Sequence, residues 1–318
     1  MIITLLTQFG SAEGLGALAR QIELLAAGDR SAVLLQGESG TGKGWAARVI
    51  HNLSPRSGGP FVEVNCAGLA PAFVDSELFG QEQGGEPDPR ERKVGLFELA
   101  NHGTIFLDEV GELALDLQRK LVDVLETNTF RRLGGTRDVT VDVRLITATS
   151  RDLAREVASG GGDRFREDLY DRLKVMALTL PPVRERARED RFDLMKRIMA
   201  DLRTQLPGCP TECSPDVVDR LLSAAWPGNV REMRNVLERS MILARGQPAI
   251  GVEHLPPDVR PRAPADRRYQ AQSLSEVERQ HIERTLRHHG GNRTRAALEL
   301  GISRATLINK IKAYSLNL

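Results

Sequence analysis

Gly37-Glu-Ser-Gly-Thr-Gly-Lys43 lies between a short apolar run, Ser31-Ala-Val-Leu-Leu-Gln36, and a stretch with helical patterning. Strand, glycine loop and helix in that order are what a phosphate-binding loop requires. Glycines let backbone N–H groups turn inward around a phosphate, Lys43 brings positive charge to the β and γ oxygens, and the helix presents the positive end of its dipole. The stretch predicts a nucleoside triphosphate site built from Gly37, Glu38, Ser39, Gly40, Thr41, Gly42, Lys43 and Gly44. The plainer alternative is a glycine-rich turn with a solvated lysine, and it has to be weighed against a second nucleotide motif downstream.

That motif is Gly103-Thr-Ile-Phe-Leu-Asp108-Glu109, an apolar strand ending in two carboxylates. An acid at a strand end can hold magnesium through water, and the next acid can polarise a water for attack on the γ-phosphate. Asp108 is assigned to the metal, Mg2+, and Glu109 to the water. A paired acid at a strand end is usually a solvated turn; the phosphate loop upstream is what favours the functional reading.

Further apolar runs, Phe61-Val-Glu-Val-Asn65, Val143 to Thr149 and Val175 to Leu180, alternate with helical patterns such as Leu117 to Thr127. The alternation predicts an α/β fold: a parallel sheet with helices on both faces. From Asp190 the pattern is all-helical, with Ser214-Pro215 opening one helix and Asn229 to Ala244 forming another, which reads as a small lid. The expected division is an α/β part over 1–185, a helical lid over 186–255, a linker over 256–272 and a terminal helical domain over 273–318.

The chain of 318 residues is 41% hydrophobic, enough for at least one sizeable core. No apolar stretch has the length of a membrane helix and the start carries no export leader, so the expected location is the cytoplasm without membrane contact. Cys66, Cys209 and Cys213 lack a paired framework or a zinc-type spacing and read as reduced thiols. Net charge is +1, but from Val259 to Leu318 twelve Lys/Arg face five Asp/Glu, an excess of +7 that leaves −6 for the rest. A proline-rich, charged segment, Pro256 to Arg268, separates this basic tail from the remainder.

Within the tail, an amphipathic stretch from Leu274 ends at Gly290-Gly291-Asn292, a short helix spans Arg293 to Leu300, Gly301 makes a turn, and Ser303 caps a third helix. This is a helix-turn-helix pattern. Ile302, Leu307 and Ile311 are expected inward, while Arg304, Thr306, Asn309 and Lys310 face outward with donors suited to bases and phosphates of double-stranded DNA, and Lys312 serves the backbone. Helical hairpins are common in proteins that never touch DNA; the local charge strengthens the DNA reading.

Taken together, these motifs resemble the AAA+ ATPases of bacterial enhancer-binding proteins, activators of sigma-54 RNA polymerase, over nearly the whole chain. Besides the two nucleotide motifs, the resemblance rests on Asp75-Ser-Glu-Leu-Phe-Gly80, Phe165-Arg-Glu-Asp-Leu-Tyr-Asp-Arg-Leu173, Trp226-Pro-Gly-Asn-Val-Arg-Glu232 and the Fis-like terminal helices. It implies that Asn65 is a switch residue holding Glu109, that Arg166 and Arg172 reach the γ-phosphate of a neighbouring subunit, and that Arg231 is the sensor arginine of the lid. It also implies a self-assembled ring, dimeric through its DNA-binding domain, that acts on RNA polymerase, since charge supplied by a neighbour couples hydrolysis to assembly.

The sequence departs from that family at three places. Gly84-Gly-Glu-Pro-Asp-Pro-Arg90 stands where the family carries its sigma-54-gripping Gly-Ala-Phe-Thr-Gly-Ala loop, replacing an apolar tip by acids and prolines. Gly44 follows Lys43 where the family usually has Glu, and Thr149-Ser150 replaces Thr-Asn, a shorter side chain expected to weaken hydrolysis. About thirty residues precede the phosphate loop, too few for a receiver domain, so control is expected from a partner protein, a ligand or expression level. Two readings stand: an ATP-driven remodeller of sigma-54 polymerase, and a DNA-binding regulator in which nucleotide mainly sets oligomeric state. The loop sequence makes direct sigma-54 contact the less favoured half.

Overall fold

The computed structural model describes residues 16–29, 31–68, 70–82, 93–158, 164–257, 259 and 274–314. The loop at 84–90, most of the linker at 256–272 and the last four residues lie outside them. Seven strands are described: β1 (Val33–Gln36), β2 (Phe61–Asn65), β3 (Thr104–Asp108), β4 (Thr129–Arg131), β5 (Asp138–Thr140), β6 (Arg144–Thr149) and β7 (Met176–Thr179). Five form a parallel sheet in the order β2-β3-β6-β1-β7, as the alternation of strand and helix signals predicts.

Strand periodicity divides the core in two. Val33, Leu35, Phe106, Ile146 and Ala148 point to one face, beneath α1 (Gly16–Ala27) and α2 (Lys43–Asn52). Leu34, Ile105, Leu107 and Leu145 point to the other, beneath α3 (Pro71–Phe79), α4 (Leu96–Leu99), α5 (Leu115–Thr127), α6 (Leu153–Ala158) and α7 (Glu167–Leu173). Both faces being covered explains why these strands read as continuous apolar runs.

Two features were not visible in the sequence pattern. Strands β4 and β5 make a separate antiparallel pair of three residues each, with alternate side chains exposed, too short to show a periodicity. Helix α1 packs on the sheet, and its C-terminal carbonyls at Leu25 and Ala26 accept hydrogen bonds from the buried Arg144 guanidinium. A cation there meets the negative end of the helix dipole, although burial lowers the pKa of Arg144.

The lid comprises α8 (Arg188–Gln205), α9 (Pro215–Ser223) and α10 (Asn229–Leu243) around a third core centred on Trp226, whose indole N–H donates to Leu221 O at 2.8 Å. Its core already includes Val183, in a single 3-10 turn, Val183–Glu185. The chain forms two compact units, residues 1–262 and 263–318, so the α/β part and the lid make one unit with separate cores.

The second unit holds α11 (Leu274–His288), α12 (Arg293–Glu299) and α13 (Arg304–Ala313). Ile282, Leu286, Ala296, Ala297 and Leu307 form its centre, with Ile302 and Ile311 packed against them as the pattern predicts. Asn292 Oδ1 accepts from the N–H groups of Thr294 and Arg295, and Ser303 Oγ accepts from Thr306 N, so each short helix begins on a side-chain cap worth about 1 kcal/mol.

Candidate functional site

Parallel strands bring the predicted residues to one edge. Gln36 pairs with Thr149 and Asn65 with Asp108, so the glycine loop, the acid pair and Ser150 all leave the carboxyl ends of neighbouring strands, where open α/β sheets bind ligands. Gly37, Gly40 and Gly42 adopt φ of 146°, 79° and 103°, which only glycine takes readily. A Cβ on Gly37 would lie 2.6 Å from Leu180 O. Among the described residues no side chain caps the N-terminus of α2, so its first N–H groups face the loop, an arrangement that suits an anion.

Lys43 is 6% exposed; its Nζ donates to the loop's own carbonyls at Gly37 (2.9 Å) and Glu38 (3.2 Å) and lies 3.6 Å from Glu109 Oε1. Asp108 Oδ1 accepts from Glu109 N, and burial, then the neighbouring Glu109 charge, raise the Asp108 pKa above the usual carboxylate value. Cys66 beside them is pushed up to about 12, by burial first and by the two acids second, so it is a closed thiol.

Glu109 has φ 54°, an uncommon conformation for a non-glycine residue. Its Oε2 accepts from both Ser150 N and Ser150 Oγ at 2.9 Å. Asn65, expected to hold Glu109, instead accepts from Ala67 N at 2.9 Å through its own Oδ1. Ser150, directly after β6, is thus the residue that holds Glu109.

Gly44 is not imposed by space: a Cβ there would meet Phe106 Cε1 at 3.6 Å and Glu63 Oε1 at 3.7 Å, ordinary contacts.

The lid reaches the loop from the other side. Arg231 donates to Ser39 Oγ at 3.0 Å, bringing the expected sensor arginine to the loop. Four further residues, Arg184, Arg186, Asn229 and Val230, contact the loop through pairings that sequence patterning does not show. Arg184 makes a two-pronged ion pair with Glu38, and together with Asn229 Nδ2 (3.1 Å) it holds the Glu38 pKa down to about 2. Buried Asn229 also donates to Ser39 O at 3.0 Å and accepts from Val183 N at 2.9 Å, and Val230 N donates to Gly40 O at 2.9 Å. Arg186 donates to Thr41 O at 3.0 Å, and burial pulls its pKa down to about 10. Trp226-Pro-Gly-Asn-Val-Arg-Glu232 is the sequence signal for Asn229 and Val230, and it does not reach Arg184 or Arg186.

Between loop and lid lies a cavity of about 420 Å³ lined by Thr41, Gly42, Trp45, Arg186, Arg197 and Arg234. Arg166 and Arg172 are paired within the chain to Asp168 and Glu126 on the exposed surface, not to the phosphate loop.

In the second unit Arg304, Thr306, Asn309 and Lys312 are exposed on α13. Lys310 departs from expectation: its ammonium pairs with Glu278 of α11 at 2.5 Å, and Tyr314 OH donates to the same carboxylate at 2.6 Å. These contacts hold the Glu278 pKa below the usual range. Lys310 thus ties two helices together inside its own unit.

Residues 9–179 match the Sigma-54 interaction domain, 184–272 the AAA+ ATPase lid domain, and 273–314 the Bacterial regulatory protein, Fis family. The chain is similar to the regulatory protein AtoC of Escherichia coli, 42% identical over 91% of this chain and 63% of the relative. It is also similar to the transcriptional regulatory protein ZraR of Klebsiella oxytoca, 40% identical over 95% of this chain and 68% of the relative. Among solved structures, NtrX from Brucella abortus in complex with ATP aligns with a TM-score of 0.70 at 35% identity, covering 96% of this chain and 69% of that one. The chain thus spans about two thirds of these relatives. No described helix is long and apolar enough to cross a membrane.

Proposed function

The chain belongs to the sigma-54 interaction domain family of AAA+ proteins, and from that premise we propose that it is a DNA-binding transcriptional regulator that binds and hydrolyses ATP. The observation that carries this reading is the closed geometry at the strand ends: a buried Lys43 on the glycine loop, 3.6 Å from Glu109. The triphosphate takes the place of the loop carbonyls as partner of Lys43, with Thr41 and the N-terminus of α2 beside it. The cavity bearing Trp45 receives the nucleoside half. Asp108 would hold magnesium through water, and the ion would supply neutralising charge at the β and γ oxygens. Glu109 polarises the attacking water once it leaves Ser150.

Arg166 and Arg172 act on a neighbouring subunit's nucleotide, which requires them to exchange Asp168 and Glu126 for phosphate, so turnover depends on assembly into a ring. Arg231 reads nucleotide from the lid. Exposed α13 enters the major groove of DNA, with Arg304, Thr306 and Asn309 at base edges and Lys312 on the backbone. The relatives favour an ATP-driven activator over a regulator in which nucleotide only sets oligomeric state. The sequence at 84–90 is the one observation against a grip on sigma-54.

The test is nucleotide binding and turnover by the purified chain, followed by open-complex formation with sigma-54 polymerase. Lys43→Ala is expected to lose ATP binding, and Glu109→Gln to keep binding and lose turnover. Equal loss of binding in both variants would overturn the assignment of roles. Turnover without open-complex formation would move the reading to a regulator that works without sigma-54.

A further inference from the structure

At the corner joining α11 to α12, three side chains converge that neither the nucleotide nor the DNA reading uses. His288 and His289 stand at the end of α11 and Glu299 closes α12, and their ligand atoms lie within 4.8 Å of one another, the one grouping of this kind among the described residues. His289 Nε2 and the Glu299 carboxylate are in direct contact; the histidine is 21% exposed. The two histidine rings sit edge to face, 5.0 Å between centroids. Between the histidines and α12 runs Gly290-Gly291, both at positive φ, 57° and 82°. The grouping therefore spans the stretch of the unit whose backbone has the most freedom to lose.

Two imidazoles and one carboxylate are the nitrogen and oxygen donors that suit zinc, with remaining positions for water. Bonds of about 2.0–2.2 Å to a common ion need donors roughly 3 Å apart. Rotation of the exposed His288 and Glu299 side chains about a half-buried His289 supplies that without moving a helix. We propose that His288, His289 and Glu299 bind one zinc ion, which clips α11 to α12 across Gly290-Gly291 and stiffens the unit that carries α13. The ion replaces the His289–Glu299 contact, and both imidazoles bind in the neutral form, so binding releases any proton they carry. Nothing in this proposal depends on nucleotide chemistry.

Titration of the full chain with ZnCl2 in the absence of nucleotide tests it, read by calorimetry and by hydrogen exchange. The expected result is one zinc per chain and slower exchange of the amides from 286 to 300. His289→Ala and Glu299→Gln should each weaken binding by at least the roughly tenfold that loss of an outer-shell partner costs, and His288→Ala should do the same. Cobalt substituted for zinc should give absorption without thiolate charge transfer, because Cys66, Cys209 and Cys213 take no part. Absence of zinc uptake, unchanged affinity in the variants, a thiolate band, or protection confined to other residues would each overturn the proposal.

Discussion

Asn229→Ala should destabilise the lid by about 3–5 kcal/mol, more than a hundredfold in its folding equilibrium. Asn229 is fully buried and its Oδ1 accepts from Val183 N at 2.9 Å; alanine leaves that N–H buried without a partner, a cost of about 1–3 kcal/mol. The bond from Nδ2 to Ser39 O adds about 1 kcal/mol. The backbone adds about 1 kcal/mol more, since φ is 53° and asparagine tolerates the left-handed region better than alanine. Asn229→Gly loses the same hydrogen bonds without that strain, so it should be milder than alanine by about 1 kcal/mol. The chain has two tryptophans, so in a Trp45→Phe background the fluorescence of buried Trp226 reports the lid alone during urea unfolding. A loss below about 0.5 kcal/mol, the range of an ordinary surface substitution, would refute the reasoning. So would a glycine variant weaker than the alanine one.

Ser150→Ala should raise ATP turnover, by no more than about tenfold, while leaving affinity unchanged, because losing the hydroxyl loosens the hold that Glu109 must leave while Ser150 N still keeps one bond; steady-state kinetics beside Glu109→Gln will check it, and a fall in turnover would contradict the release of Glu109 from Ser150. Glu38, held down to about 2 by Arg184 and then Asn229, contributes stability present above its unfolded value of about 4.3 and lost as pH falls through its folded value. Acid titration of stability should therefore fall more steeply between about pH 4 and pH 2 in the parent than in Glu38→Gln, and equal slopes would remove the pair from the account. On DNA, measured by anisotropy at several salt concentrations, Asn309→Ala should relax sequence preference and Lys312→Ala should weaken all sequences alike. Lys310→Ala should instead lower the melting temperature of the second unit, since its ammonium serves Glu278; a purely DNA-linked effect of Lys310 would contradict the observed pairing.

The nucleotide motifs were legible in the sequence because each is local: a glycine run between a strand and a helix, an acid pair at a strand end. The helix-turn-helix was legible for the same reason, with caps and glycines marking every boundary. What escaped was long-range. Arg184 meets a partner 146 positions away and Asn229 one 191 away, and no periodicity records such pairings. The contact of Ser150 with Glu109 depends on β6 lying beside β3, and Lys310 meets Glu278 on another helix, which a helical wheel does not show. The β4–β5 pair was invisible because three residues carry no measurable alternation.

Gly40 is pressed so closely on the lid that a Cβ would lie 2.3 Å from Gly228 O, and its carbonyl accepts from Val230 N. Loop and lid at this point behave as one body, so a ligand that reshapes the loop has to reorient the lid, and a partner that fixes the lid has to reshape the loop. By thermodynamic linkage the two influences are equal in size. In the ring proposed above, whatever factor nucleotide added to the grip of a neighbouring chain on the lid, that neighbour would return to the affinity for nucleotide, and the glycine contact would make the phosphate loop an assembly sensor as much as a binding site.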